Sequence, residues 1–325
     1  MIHIGIIGAG NIAHKFAEAI IKSDLNGDLY AIASRDLEKA KSFKKEHKAK
    51  KAYGSYQELF EDDLVDLVYI ATPHTLHFEQ IIQALDYNKH VLCEKPMTIN
   101  ESMAQTVFNK AKEKNLFVME AMWTRCLPVI QKVQDNIKKG MIGHIKRLEA
   151  DFCMNPSIDK DHRLYQPHLG GGALLDIGIY PITIANIFLG KPDIIHTDVQ
   201  MADTNVDISE EITYIYPAST GFFKVAFNQS RPREARIFGT KGKIIIDGLN
   251  DTESAKVYDE NDQEIKHIHI PFETNGFEYE IREAIRCIEK NHLESSIIPH
   301  SATLSVLSQM DQIRKEWGLV YPQEK

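Results

Sequence analysis

The apolar positions of the first 122 residues alternate between two periods. IHIGIIG (2–8) is a strand-like run, and NIAHKFAEAIIKS (11–23) then places Ile12, Phe16, Ala19 and Ile20 at helical spacing. LYAIAS (29–34) predicts the next strand and DLEKAKSFKKEH (36–47) the next helix, with Asp36 as its N-cap. LVDLVYIAT (64–72), TLHFEQIIQALDYN (75–88), HVLCEKP (90–96), SMAQTVFNKAKEKN (102–115) and LFVMEAM (116–122) continue the alternation. Strand and helix in turn, joined by short links, predict parallel strands with right-handed crossovers and hence a doubly wound, Rossmann-type α/β sheet.

Beyond about residue 145 strand-like runs follow one another without intervening helices: HIKRLEADFCM, EEITYIYP, GFFKVAFNQ, REARIFGT, KIIIDG, AKVYDE and EIKHIHI. Gly, Asn and Asp turn signals separate several of them, so this part reads as an α+β domain with a mostly antiparallel open sheet. Two helical stretches, 277–291 and 301–317, close the chain. The expected division is a dinucleotide-binding domain over 1–122 and a substrate-binding and dimerisation domain over 123–325. A length of 325 residues, more than one hydrophobic core usually supports, agrees with two domains.

Composition narrows the function classes. Hydrophobic residues at 43% and charged residues at 26% describe an ordinary soluble globular protein. A net charge of −8 argues against a fold-wide attraction to nucleic acid or anionic lipid. No apolar run reaches the about 18 residues that a membrane span needs. The N-terminus carries neither a basic leader nor a cleavage site. Cys93, Cys126, Cys153 and Cys287 are scattered without a CxxC pair, which fits a reducing cytoplasm and supports neither zinc nor a disulfide framework. The expectation is a cytoplasmic protein acting on a small molecule, without nucleic-acid or membrane partners.

Two places carry chemistry. GIIGAGNIA (5–13) matches G-x-G-x-x-(G/A) through Gly8, Gly10 and Ala13, after a strand and at the opening of a helix. Gly8 allows the tight turn, Gly10 lets a pyrophosphate approach the backbone, and Ala13 permits close helix–strand packing. The helix start at Asn11 and Ile12 supplies free N–H groups and a positive dipole end. At the end of the second strand Ser34 and Arg35, with Lys39 one turn on, suit a ribose 2′-phosphate. NADP is therefore expected. NAD is the alternative, because Asp36 suits either the helix cap or the ribose hydroxyl. The second place is EKP (94–96), at the C-terminal end of a strand, where open α/β sheets hold ligands. Lys95 would face the same crevice as the glycine turn, and Pro96 is a candidate for a cis peptide bond.

These pieces, with ATPHTLH (71–77), CEKP (93–96), EAMWTRCLP (120–128), GGGALLDIGIYP (170–181) and the C-terminal MDQIRKEWGLVYP, resemble the Gfo/Idh/MocA family of nicotinamide-dependent oxidoreductases. Within that family EAMWTR and DIGIYP look most like the dimeric dihydrodiol dehydrogenases and their sugar-dehydrogenase relatives.

The resemblance implies that Lys95 reaches the substrate's reacting oxygen beside the nicotinamide. Tyr180 would share that oxygen, as acid/base or as hydrogen-bond donor. Many sugar-acting relatives carry histidine at the Tyr180 position, which points away from the inositol-type branch. Asp176, one helical turn before Tyr180, would hold a neighbouring hydroxyl or orient Lys95. Thr72, Pro73, His74, His77, Glu94, Trp123 and Arg125 would border the cofactor, and Trp123, Phe152 and Arg147 the substrate. His74 and His77 have a metal-like H-x-x-H spacing but no evident third ligand, so no metal is expected. A homodimer or homotetramer through the C-terminal sheet is implied as well. The expected activity is hydride transfer between NADP(H) and a carbinol carbon of a sugar, polyol or vicinal diol. The rival readings are an NAD-retaining glycoside hydrolase and a non-catalytic dinucleotide-sensing regulator.

Overall fold

Six parallel strands form the sheet of the first unit, which comprises residues 1–126 and 272–304 of a computed structural model describing residues 1–325. They are β1 (Ile2–Ile7), β2 (Gly27–Ala33), β3 (Lys51–Tyr53), β4 (Leu67–Ile70), β5 (His90–Glu94) and β6 (Val118–Ala121). The connecting helices are α1 (Asn11–Lys22), α2 (Leu37–His47), α3 (Tyr56–Phe60), α4 (His77–Asp86) and α5 (Glu101–Lys114). The strand order is β3-β2-β1-β4-β5-β6. It reverses between β1 and β4, so a crevice opens there at the C-terminal strand ends. β4 is buried along its whole length, as a central parallel strand must be. Phe16 of α1 stacks on Tyr69 of β4 with ring centroids 3.5 Å apart. β3 and α3 are too short to show a period, and sequence reading does not reveal them.

The second unit comprises residues 127–271 and 305–325. Its elements begin with α6 (Pro128–Lys138), β7 (Ile145–Cys153) and α7 (Ile179–Phe188). β8 (Ile194–Met201), β9 (Asp207–Ile215), β10 (Thr220–Ala226) and β11 (Glu234–Gly239) follow. β12 (Gly242–Asp247), β13 (Ser254–Asp259) and β14 (Glu264–His269) complete an eight-stranded sheet ordered β14-β13-β12-β11-β7-β10-β9-β8. Only the β7–β10 pair is parallel. Leu148, Ala150 and Phe152 of β7 are buried, while Arg147, Glu149 and Asp151 alternate with them on the polar face. β8 escapes a hydropathy reading because it is an edge strand with alternate residues exposed.

Two expectations need correction. The segment Pro167–Phe188 is long and apolar enough by composition to cross a bilayer. Residues 170–185 are buried inside the second unit, however, so this is a core helix. The division at 122/123 also shifts. Residues 123–126 and 272–304 belong with the first unit, including α8 (Phe277–Glu289) and the start of α9 (His300–Trp317). Phe277, Ile281, Ala284 and Ile285 of α8 join the core that holds Phe16, Ile20 and Tyr69. Helical periodicity shows that α8 has an apolar face, but it does not show which core that face covers.

Candidate active site

The turn between β1 and α1 is built for close approach. Gly8 has φ +94°, and a Cβ there would stand 2.7 Å from the Ala71 carbonyl oxygen, so only glycine fits. Gly10 differs: its backbone is extended, it precedes α1 without a side-chain cap, and a Cβ would meet nothing within 4 Å. The N–H groups of Asn11, Ile12 and Ala13 thus open α1 beside free space, an arrangement that receives phosphate. Ala13 is fully buried against the sheet.

At the end of β2, Ser34 is buried and its Oγ accepts from the Asp36 N–H at 3.2 Å. Asp36 Oδ1 accepts from the N–H groups of Glu38 at 3.0 Å and Lys39 at 3.2 Å. Asp36 is therefore the α2 cap, with its carboxylate engaged by the helix start. Arg35 and Lys39 are exposed, and the Arg35 guanidinium reaches the Tyr56 hydroxyl.

The Lys95–Pro96 peptide bond is cis. Three acids surround this strand end. Glu94 Oε2 accepts from the Lys95 N–H at 3.2 Å, and the Tyr69 hydroxyl donates to Glu94 Oε1. Glu120 accepts from the Met97 N–H and the Thr303 hydroxyl, both at 3.0 Å. Glu280 is fully buried, with no donor at either oxygen. Burial pushes the Glu94 and Glu120 carboxyls up, against donated hydrogen bonds and the Lys95 ammonium. Glu280 has burial and two like charges but no cation, and is driven well above the carboxylate range. Lys95 lies close enough to the other two, hydrogen-bonded acids to feel their charge.

Sequence reading missed Glu120, although it opens EAMWTR, and Glu280, whose surroundings only the packing of α8 reveals. His77, expected among the cofactor contacts, is enclosed instead. Its ring nitrogens lie 2.9 Å from the carbonyls of Thr72 and Pro96, so the ring fills the space between the two loops and donates its one N–H to one of them. Thr72 donates to Gln80 Oε1 at 2.5 Å, Pro73 is exposed and His74 is buried. The Trp123 indole packs on Phe277, centroids 4.7 Å apart. Burial works against the Arg125 charge, which Glu120 favours.

In the second unit Asp176 and Tyr180 are each 7% exposed. The expected α-helical spacing is modified, because Leu174–Gly178 forms a π turn that carries Asp176 and leads into α7. Such widened turns are frequent at functional sites. Arg163 Nη2 donates to Asp176 Oδ1 at 2.9 Å, a partner in a loop that no motif announces. Phe152 lies 5.5 Å from the Tyr180 ring. Arg147, expected near substrate, is five residues from Phe152 and so on the opposite face of β7. It stacks on Phe238 at 4.2 Å and pairs with Glu149 at 3.0 Å.

The chain is similar to several known proteins. A model of the oxidoreductase family with an NAD-binding Rossmann fold matches residues 2–122, and a GFO/IDH/MocA C-terminal domain model matches 130–245. A trans-1,2-dihydrobenzene-1,2-diol dehydrogenase of Xenopus tropicalis is 33% identical over 327 residues, covering 98% of both chains. A scyllo-inositol 2-dehydrogenase (NADP(+)) of Bacillus subtilis (strain 168) is 30% identical over 331 residues, covering all of both. Among solved structures, a 3-ketoreductase from Actinomadura kijaniata with NADP and TDP-benzene superposes with TM-score 0.86 at 28% identity over 97% of each chain.

The two glycines of the turn separate folding from binding. Gly10→Ala is expected to leave the melting temperature unchanged and to weaken dinucleotide binding at least tenfold in a fluorescence titration, since its Cβ fills only ligand space. Gly8→Ala should lower stability by about 1–3 kcal/mol through strain and collision with Ala71. Equal melting temperatures for the two variants would refute this division of roles.

Proposed function

We propose that this chain, which belongs to the Gfo/Idh/MocA oxidoreductase family, moves hydride between NADP(H) and a carbinol carbon of a sugar, polyol or vicinal diol. The observation that carries the cofactor preference is the engagement of Asp36. A carboxylate held by two α2 N–H groups is a poor partner for a ribose hydroxyl, and the exposed Arg35 and Lys39 beside it suit a 2′-phosphate. The NADP-named relatives support the same choice, and the diol and inositol dehydrogenase relatives support the substrate class.

The bound nicotinamide supplies the hydride acceptor or donor. Lys95 is assigned the proton at the reacting oxygen. It stands at a strand end, half-buried, with the Glu94 and Glu120 carboxyls near it. Tyr180 is assigned the polarising or protonating of a substrate oxygen. Asp176, held by Arg163, fixes a neighbouring hydroxyl and so selects vicinal oxygenated substrates. The polar face of the eight-stranded sheet, where Arg236 pairs with Glu149 at 3.2 Å and with Glu234 at 2.8 Å, is assigned to a second copy of the chain.

Lys95→Met is expected to leave NADPH affinity within about threefold and to reduce kcat by a factor on the order of 10²–10⁴. Unchanged kcat in single-turnover and steady-state assays would remove Lys95 from the reaction. Arg35→Ala should raise the Kd of NADPH at least tenfold more than that of NADH, and equal losses would show that Arg35 does not hold the 2′-phosphate. Light scattering should report twice the 37.0 kDa chain mass, and an Arg236→Glu variant should run as the single chain. A monomeric wild type would refute the assembly.

A further inference from the structure

Asp176 and Tyr180 ride on a helical segment whose start is held by two acids that the proposed chemistry does not use. Asp207, at the head of β9, is fully buried, and its Oδ2 accepts from the Leu174 N–H at 2.6 Å. Leu174 is the first residue of the π turn. A carboxylate there meets the unpaired N–H groups and the positive end of the helix dipole. Glu210, three residues on, is also buried, and its Oε1 lies 3.1 Å from where a Cβ on Gly178 would stand. Gly178 is the last residue of the turn. One acid therefore touches each end of the five-residue segment that carries Asp176.

The chain approaching this turn is shaped to admit them. Gly172, at φ +115°, could not carry a Cβ without colliding with Asp207 Oδ1. A Cβ on Gly171 would stand 2.6 Å from the carbonyl oxygens of Arg163 and Leu164. The buried Tyr321 hydroxyl clamps the same stretch by donating to the Gly171 carbonyl at 2.6 Å. The glycines of GGGALLDIGIYP thus serve close packing around acids.

Asp207 Oδ1 and both Glu210 oxygens are buried and meet no N–H or hydroxyl donor. Two adjacent carboxyls in a dry interior cannot both ionise. Burial pushes the Asp207 carboxyl up, and the N–H groups of Leu174 and Ala173 and the Glu210 carboxyl work against that and favour its charge. Burial and the Asp207 charge push Glu210 well above the carboxylate range, with the Cys153 thiol acting in the same sense and the Lys224 ammonium against it. A proton on Glu210 turned toward Asp207 gives the orphaned oxygens a hydrogen bond.

We propose that Asp207 and Glu210 are a proton-sharing pair of positioning residues. Asp207 is the anionic cap of the Asp176-bearing π turn, and Glu210 is the neutral acid that keeps Asp207 aligned. The proposal rests on the reading of Asp176 and Tyr180 as substrate-handling groups.

Asp207→Asn, Glu210→Gln and wild type are to be compared by kcat and KM for a turned-over diol or polyol, by NADPH titration, and by hydrogen–deuterium exchange over residues 172–182. In Asp207→Asn we expect kcat to fall tenfold or more with KM for the carbinol raised. NADPH affinity should be unchanged, and exchange should accelerate in that segment. Glu210→Gln keeps shape and a neutral donor and should lose several times less. Should Asp207→Asn not fold, Glu210→Leu carries the test, with the same loosening of 172–182 expected. Unaltered exchange overturns the proposal, as does faster exchange with wild-type kcat, or equal damage from Asp207→Asn and Glu210→Gln. The exchange arm needs no turnover, so a failure of the assigned dehydrogenase reaction, read by Lys95→Met, is told apart from a failure of the acid pair.

Discussion

The approach of Gly8 to the Ala71 carbonyl is the contact on which the first unit's chemistry depends. β1 and β4 are neighbours in the sheet but far apart in sequence, and the loops that leave their C-terminal ends share one small space. Any side chain at residue 8 would force those loops apart. Because none is there, the phosphate-receiving turn lies against Ala71 and Thr72. The buried His77 ring then stands between the Thr72 and Pro96 carbonyls, 2.9 Å from each, and Pro96 is joined to Lys95. A backbone approach at the glycine turn is thereby connected, through buried polar contacts, to the placement of the lysine.

Buried acids are the second recurring device. An ionised carboxyl away from water is costly unless donors or a cation answer it. Glu94 and Glu120 are answered by hydroxyl and backbone donors and by Lys95, while burial and its like-charged neighbours push Glu280 well above the carboxylate range. In the second unit Asp207 is answered by helix N–H groups and Glu210 by neutrality. Each arrangement holds its neighbours to a narrow geometry, because moving them would strand a charge. Both lie beside residues that the proposed reaction uses.

Much of this was legible beforehand. The alternation of periods announced the parallel sheet, and the glycine spacing announced its ligand turn, because both depend on local covalent geometry. Asp36 was legible only as a pair of alternatives, since cap and ribose contact need the same side chain at the same place. Its bonds to Glu38 and Lys39 show that it caps α2. Arg147 was misplaced because strand parity, not distance along the chain, selects the face. Arg163 was invisible because a loop arginine carries no periodic signal.

The sequence by itself determined the parallel-sheet half, its phosphate turn, the exposed cations after β2 and the lysine at the end of β5. Those features arise from neighbours within a few residues, through hydrophobic period, glycine conformational freedom and helix capping. Only the tertiary structure decided that α8 belongs to the first core, that Glu280 stands among acids, and that a strand residue caps the π turn bearing Asp176. Burial and charge at those positions are set by residues 33 positions away at the π turn and more than a hundred away at Glu280, or by the packing of a whole element. A one-dimensional pattern contains no distances of that kind.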